Sequence, residues 1–142
     1  MLKVKVGFLR VLIVDDSRVS RTVMHELLKE SGFNHIDEAE NATEAYDKME
    51  ALRYDVVFLD WVMPGRSGVS LMEEWRADRR YDDVAVIVAS MQNNKSMITG
   101  ALKAGALDYI VKPVTEDLLQ KCIKKTLGWL ELRREFREEQ NS

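Results

Sequence analysis

Short apolar runs recur along the chain at residues 10–14, 55–59, 84–89 and 107–111, each rich in Val, Ile or Leu. Runs of strand length without polar alternation predict strands buried on both faces, as in parallel sheets covered by helices. A more polar run at residues 35–39 predicts an edge strand. Helical spacing fills the intervals. Residues 17–30 carry Val19, Val23, Leu27 and Leu28 on one side and stop at Ser31-Gly32, a fitting helix end. Residues 41–53 repeat Ala42, Ala45, Tyr46, Met49 and Leu52, with Asn41 as N-cap and Glu44 completing a capping box. A third helix is predicted over 69–79 with Leu71, Met72 and Trp75 inward, and a fourth over 94–104, closed by Gly105. The fifth starts after Pro113, capped by Thr115, with Glu116 and Asp117 at its positive end. Five βα units with right-handed crossovers predict a doubly wound α/β sheet.

The apolar runs end on chemistry. Val11-Leu12-Ile13-Val14 leads into Asp15-Asp16, Val57-Phe58-Leu59 into Asp60, Ile87-Val88-Ala89 into Ser90, and Ile110-Val111 into Lys112-Pro113. In a parallel sheet these groups converge on the carboxyl edge, where such sheets bind ligands. Any one of them alone is as well explained as a cap or loop residue; four coincident endings are not. Three clustered carboxylates repel one another unless a cation neutralises them. An all-oxygen set suits Mg²⁺, and no Cys or His is near enough in sequence to suggest zinc. Lys112 can neutralise and Ser90 can hydrogen-bond the oxygens of a phosphoryl group while one carboxylate attacks phosphorus. Lys112 also suits a structural salt bridge to the acidic cluster, and the two roles are compatible.

These residues resemble the receiver domain of bacterial two-component response regulators and are similar to the single-domain chemotaxis regulators. The resemblance spans residues 9–127. It rests on Val14-Asp15-Asp16-Ser17, on Leu59-Asp60-Trp61-Val62-Met63-Pro64-Gly65 with Gly68, on Ala89-Ser90, and on Tyr109-Ile110-Val111-Lys112-Pro113. It implies a five-stranded parallel sheet in the flavodoxin-like order 2-1-3-4-5, with five helices and an extended last helix. It further implies that Asp60 accepts a phosphoryl group, that Asp15, Asp16 and Asp60 with the carbonyl of Val62 hold Mg²⁺, and that Lys112 contacts the phosphoryl group. Ser90 and Tyr109 become the switch pair, acting on the surface of helix four, strand five and helix five. The implied partner is a histidine kinase or phosphotransfer protein, followed by an output protein that the sequence does not name. Such a domain is a switch rather than an enzyme. The rival readings are a Mg²⁺-dependent phosphatase of haloacid-dehalogenase type and an interaction module that no longer uses phosphate. The first expects an Asp-x-Asp after strand one, whereas Asp15 and Asp16 are adjacent.

Three positions depart from the family pattern. Met91 stands where a small residue is usual, so its bulk is expected to narrow access to Asp60 or restrict Ser90. Val62 and Gln92 flank the water that attacks the acyl phosphate, and the Val62 side chain cannot hydrogen-bond it, which predicts slow self-dephosphorylation. His25 and His35 read as solvated surface histidines. Trp61 reads either as a gate beside Asp60 or as packing.

Composition adds exclusions. A 142-residue chain with a formal charge of −3 and pI near 5.5 carries no broad basic field, which argues against direct nucleic-acid binding. The single cysteine, Cys122, reads as a core residue and suits a reducing cytoplasm. Residues 1–14 lack the pattern of a signal peptide, and no apolar run approaches the roughly twenty residues of a membrane span, so a cytoplasmic protein is expected. Residues 1–128 read as the receiver domain and 129–142 as a C-terminal helical extension. In that extension Trp129, Leu132 and Phe136 form one apolar stripe and Gly128 marks a candidate joint. The stripe suits a homodimer, docking on the output face, a coiled-coil lead, or merely a solvated helix end.

Overall fold

The computed structural model describes residues 4–141. Met1, Leu2, Lys3 and Ser142, the outermost residues of the two ranges just assigned, lie outside the described residues. The chain alternates β1 (Arg10–Val14), α1 (Arg18–Glu30), β2 (His35–Ala39), α2 (Ala42–Ala51), β3 (Val56–Leu59), α3 (Gly68–Arg76), β4 (Ala85–Ser90), α4 (Lys95–Lys103), β5 (Asp108–Val111) and α5 (Glu116–Asn141). The sheet has the order β2-β1-β3-β4-β5 and every neighbouring pair is parallel. This is the flavodoxin-like order, with β2 at an edge as its polar run predicts.

Alternation along each strand divides the core into two layers. Leu12, Val14, Val57, Leu59, Val86 and Val88 face α2, α3 and α4. Val11, Ile13, Val56, Phe58, Ala85 and Ile87 face α1 and α5. Both faces of β1, β3 and β4 are therefore dry, which is why these strands lack polar alternation; the run at 107–111, expected to be buried on both faces, instead forms the edge strand β5, in which only Ile110 is buried. Side chains close the helix starts: Ser17 accepts from the Ser20 amide, Asn41 from Glu44, Ser67 from Ser70, Asn94 from Met97 and Thr115 from Leu118. The Glu44 carboxylate reaches back to the amide of Glu40 rather than that of Asn41, so the capping box is displaced by one residue. Cys122 is buried in the second layer, as its composition reading expects.

Three helix readings need correction. In α1 the buried positions are Met24 and Leu28, while Val19 is 76% exposed and Val23 is also exposed. Successive helical residues are rotated by about 100°, so the stripe through Met24 and Leu28 turns the two valines out of the core. In α2, Ala42, Ala45 and Met49 point inward, whereas Tyr46 and Leu52 are exposed. Helix α3 keeps Leu71, Met72 and Trp75 buried but ends at Arg76, because Asp78 starts a separate turn by accepting from the Arg80 amide.

Helix α5 runs unbroken through Gly128. Its last turns cross the amino end of the sheet. Leu130 is buried, Arg133 and Arg137 pair with Asp83 just before β4, and Arg134 lies 3.6 Å from Asp55 just before β3. Glu131 accepts from the Val4 amide. Trp129 is half-buried, packs against the core and lies under the Arg133 guanidinium, while Leu132 and Phe136 remain exposed. Among the described residues no helix is long and apolar enough to cross a membrane.

Candidate functional site

The parallel register brings the predicted residues together. Asp15 and Asp16 follow β1, Asp60 follows β3, Ser90 ends β4 and Lys112 follows β5. Main-chain bonds knit the strand ends: the Asp60 amide donates to the Val14 carbonyl and the Lys112 amide to the Ser90 carbonyl, each at 2.8 Å. Glycine sets the depth of the crevice. A Cβ on Gly68 would fall 2.2 Å from the carbonyl oxygen of Asp60, so only glycine lets the start of α3 approach the Asp60 backbone this closely.

One carboxylate oxygen from each of Asp15, Asp16 and Asp60 can be chosen so that all three lie within 4.8 Å of one another. Asp15 and Asp60 are buried, and Asp16 is exposed at the mouth. Lys112 donates from Nζ to Asp15 Oδ2 at 2.6 Å and stands 3.6 Å from Asp60 Oδ2. The other Asp15 oxygen accepts from the Ser17 amide, and Asp60 Oδ1 accepts from the Val62 amide at 3.2 Å. Burial pushes the Asp60 carboxyl up to about 6; Lys112 opposes that rise, and the charges of Asp15 and Asp16 add to it. The site therefore holds an excess of negative charge that one lysine does not cancel. An oxygen-only set with one open side suits a hard divalent cation of the Mg²⁺ type, which keeps part of its water shell.

Ser90 is 1% exposed, and its Oγ accepts from the Gln92 amide at 3.2 Å. Tyr109, half-buried against the α2–α4 layer, donates its hydroxyl to the Gln92 carbonyl at 2.8 Å. Gln92 thus joins Ser90 to Tyr109 through its backbone. No side-chain pattern signals such a link, and the sequence reading missed it. A second unforeseen contact is the Arg21 guanidinium, which donates to the Asp15 carbonyl at 2.6 Å and pairs with Glu38.

Other candidates fall elsewhere. Met91 is 78% exposed and lines a groove of about 280 Å³ with Ser17, Val19, Met24, Lys112 and Pro113, so it borders the crevice on the side of its lysine. Trp61 is buried within the core, which makes it packing rather than a gate. Val62 is half exposed beside Asp60. His35 is exposed, whereas His25 is not simply solvated: its Nδ1 lies 2.8 Å from a Glu38 oxygen.

A doubly wound parallel sheet with clustered carboxylates, a hydroxyl and a lysine at its carboxyl edge defines a class, and comparison with known proteins agrees. The sequence profile of the response regulator receiver domain matches residues 11–124, and the chain belongs to that family, a signalling domain of two-component systems. It is 35% identical to the chemotaxis protein CheY1 of Helicobacter pylori over 121 residues, covering 84% of this chain and 98% of that protein. It is likewise 35% identical to a chemotaxis protein CheY homolog of Campylobacter jejuni, covering 84% and 93%. Among solved structures it resembles the response regulator TrrA of Thermotoga maritima in complex with Mg²⁺-BeF. That match has a TM-score of 0.74 and 35% identity, covering 84% of this chain and all of the other.

Proposed function

We propose that the chain is a phosphorylation-activated switch in which Asp60 accepts a phosphoryl group from the phosphohistidine of a histidine kinase or phosphotransfer protein. The observation that carries this reading is the convergence of buried Asp15 and Asp60 with half-buried Lys112 on one crevice, Lys112 lying 2.6 Å from Asp15 and 3.6 Å from Asp60. An Asp60 carboxylate oxygen would attack phosphorus; the P–N bond to the donor imidazole would break, and the imidazole would keep the bonding pair. Asp15, Asp16 and Asp60 with the Val62 carbonyl would hold Mg²⁺, which supplies charge neutralisation to the phosphoryl oxygens. Lys112 would then exchange part of its pairing with Asp15 for a phosphoryl oxygen.

The switch would follow from Ser90. When its hydroxyl donates to a phosphoryl oxygen, the Gln92 segment moves with it, and Tyr109 loses or redirects its bond to the Gln92 carbonyl. The face of α4, β5 and α5 would then change for an output partner or a second copy of the chain. On this reading residues 1–128 carry the switch, residues 129–142 extend it, and the protein works in the cytoplasm without contacting nucleic acid directly. Adjacent Asp15 and Asp16 disfavour the haloacid-dehalogenase alternative, and the intact residue set disfavours a phosphate-independent module.

Incubation with acetyl phosphate and Mg²⁺, followed by intact-mass measurement, should add one phosphoryl group per chain in the wild type and none in Asp60→Asn. Sustained turnover of p-nitrophenyl phosphate would instead identify a phosphatase and overturn the reading.

A further inference from the structure

The opposite edge of the sheet carries a second concentration of charge. Where the end of α5 crosses it, a cavity of about 320 Å³ opens between Tyr54, Val84 and Leu130 and continues into a shallower trough of about 680 Å³. Arg53, Arg79, Arg80, Arg133, Arg134 and Arg137 line this groove, and no lysine does. They are six of the chain's eleven arginines.

Part of this set is structural. Arg80 pairs with Glu50 and Asp78, Arg133 and Arg137 share Asp83, and Arg134 lies near Asp55. A strap that only fastened α5 to the sheet would need no more than these pairs. The groove holds more. Glu50, Asp55, Asp83 and Glu138 are its only acidic lining residues among those described and Asp78 pairs with Arg80 from outside it, so six guanidinium groups meet five carboxylates on a chain whose total charge is −3. No carboxylate lies within ion-pair distance of Arg53 or Arg79 among the described residues. Arg137 uses Nε on Asp83, and its two terminal nitrogens keep their donors.

We propose that this arginine-lined groove at the amino edge of the sheet binds a small phosphorylated ligand of nucleotide size or less. The guanidinium groups of Arg53 and Arg79, which have no ion-pair partner among the described residues, bring two positive charges to a dianionic phosphoryl or diphosphate group. Guanidinium forks are suited to the paired oxygens of such a group, and ion pairs with Asp83 and Glu50 hold several forks in place beforehand. The volume lies at the lower end of the range for small-molecule sites. The ligand would bridge Arg53 and Arg79, from the βα framework, to Arg134 and Arg137 of α5, so that occupancy tightens the docking of the last turns of α5. The site is separate from the Asp60 crevice and does not depend on its chemistry.

Titration of the full chain with pyrophosphate, and separately with ADP, in Mg²⁺-free low-salt buffer tests this by ¹⁵N NMR of backbone and arginine side chains. Both probes should give saturable shifts at Arg53, Arg79 and Arg137, with a dissociation constant below about 1 mM. Arg53→Gln/Arg79→Gln should weaken binding about ten-fold or more, with its circular dichroism and its phosphoryl uptake from acetyl phosphate unchanged. Both substitutions are on exposed side chains without ion-pair partners, so the fold should survive them. Shifts confined to the Asp60 and Lys112 edge would overturn the proposal, as would absence of saturation with both probes or a double variant that binds within two-fold of wild type.

Discussion

Asp60 is held in a setting that costs stability. Its carboxyl is raised to about 6 because burial, reinforced by Asp15 and Asp16, outweighs the help from Lys112. Above that pH the folded protein carries a charge that the unfolded chain would solvate freely. Asp60→Asn removes it at nearly constant volume. In metal-free buffer near neutral pH the variant should be more stable to urea by about 1–2 kcal/mol, allowing for solvent screening at the crevice mouth. Added Mg²⁺ should narrow that gap by favouring the wild type. Equal stabilities without metal would mean that the cluster is not under strain. Gly68 gives the converse case. A methyl group 2.2 Å from the Asp60 carbonyl oxygen forces the backbone to move. Gly68→Ala should cost about 1–3 kcal/mol and slow phosphoryl uptake from acetyl phosphate about 100-fold through misplacement of Asp60. Unchanged uptake would show that the loop adapts. Asp15, Asp16, Asp60, Ser90 and Lys112 were legible in the sequence because each interrupts or terminates an apolar run. The role of Gln92 was not, because it is carried by an amide and a carbonyl that every residue but proline possesses.

Among the elements, the strands were legible for a related reason: burial on both faces removes the alternation that would make them ambiguous. Helix faces were less so. Val19 and Val23 have helical spacing but lie beside the core stripe of Met24 and Leu28, lining the groove next to Met91. A hydrophobic stripe does not announce whether the sheet or an open groove will receive it. The docking of α5 was also hidden, since Asp55 and Asp83 precede strands far away in sequence and their partners are ordinary surface arginines. Asp83 reports on that docking. Burial raises its carboxyl, but hydrogen bonds from Arg137 and Arg133 outweigh this and leave it below the usual carboxylate range. A carboxyl depressed in the folded state contributes stability that is present above its unfolded value, near 4, and lost as pH falls through the folded one. Asp83→Asn should therefore be less stable than the wild type at neutral pH by about 0.5–1 kcal/mol, a partly exposed and screened pair. The two urea curves should converge below about pH 4. A difference that persists unchanged into acid would assign it to packing rather than to the ion pairs.

At the scale of the whole molecule, the sheet separates two charged ends, an acidic crevice answered by Lys112 and an arginine groove bounded by α5. On the proposed reading, how long a signal written at the first end lasts would depend on water reaching the acyl phosphate. Val62 and Gln92 would flank that water, and Val62 cannot hydrogen-bond it through its side chain. Val62 donates its amide to Asp60 but offers only an apolar side chain, half exposed at the mouth. Gln92 has its amide on Ser90 and its carbonyl on Tyr109, so its backbone is already engaged and only its side chain is left for the water. Without a side chain at residue 62 to orient the water, hydrolysis lacks a contribution that positioned polar groups supply elsewhere in catalysis. The phosphorylated wild type, freed of excess acetyl phosphate, should hold its phosphoryl group for minutes or longer, and Val62→Asn should shorten that lifetime about ten-fold. Exposure of Val62 makes the substitution sterically mild, so unfolding would not mimic the effect. A wild-type half-life of seconds, or a Val62→Asn lifetime equal to that of the wild type, would place control of hydrolysis elsewhere in the crevice, with Lys112 the next residue to test.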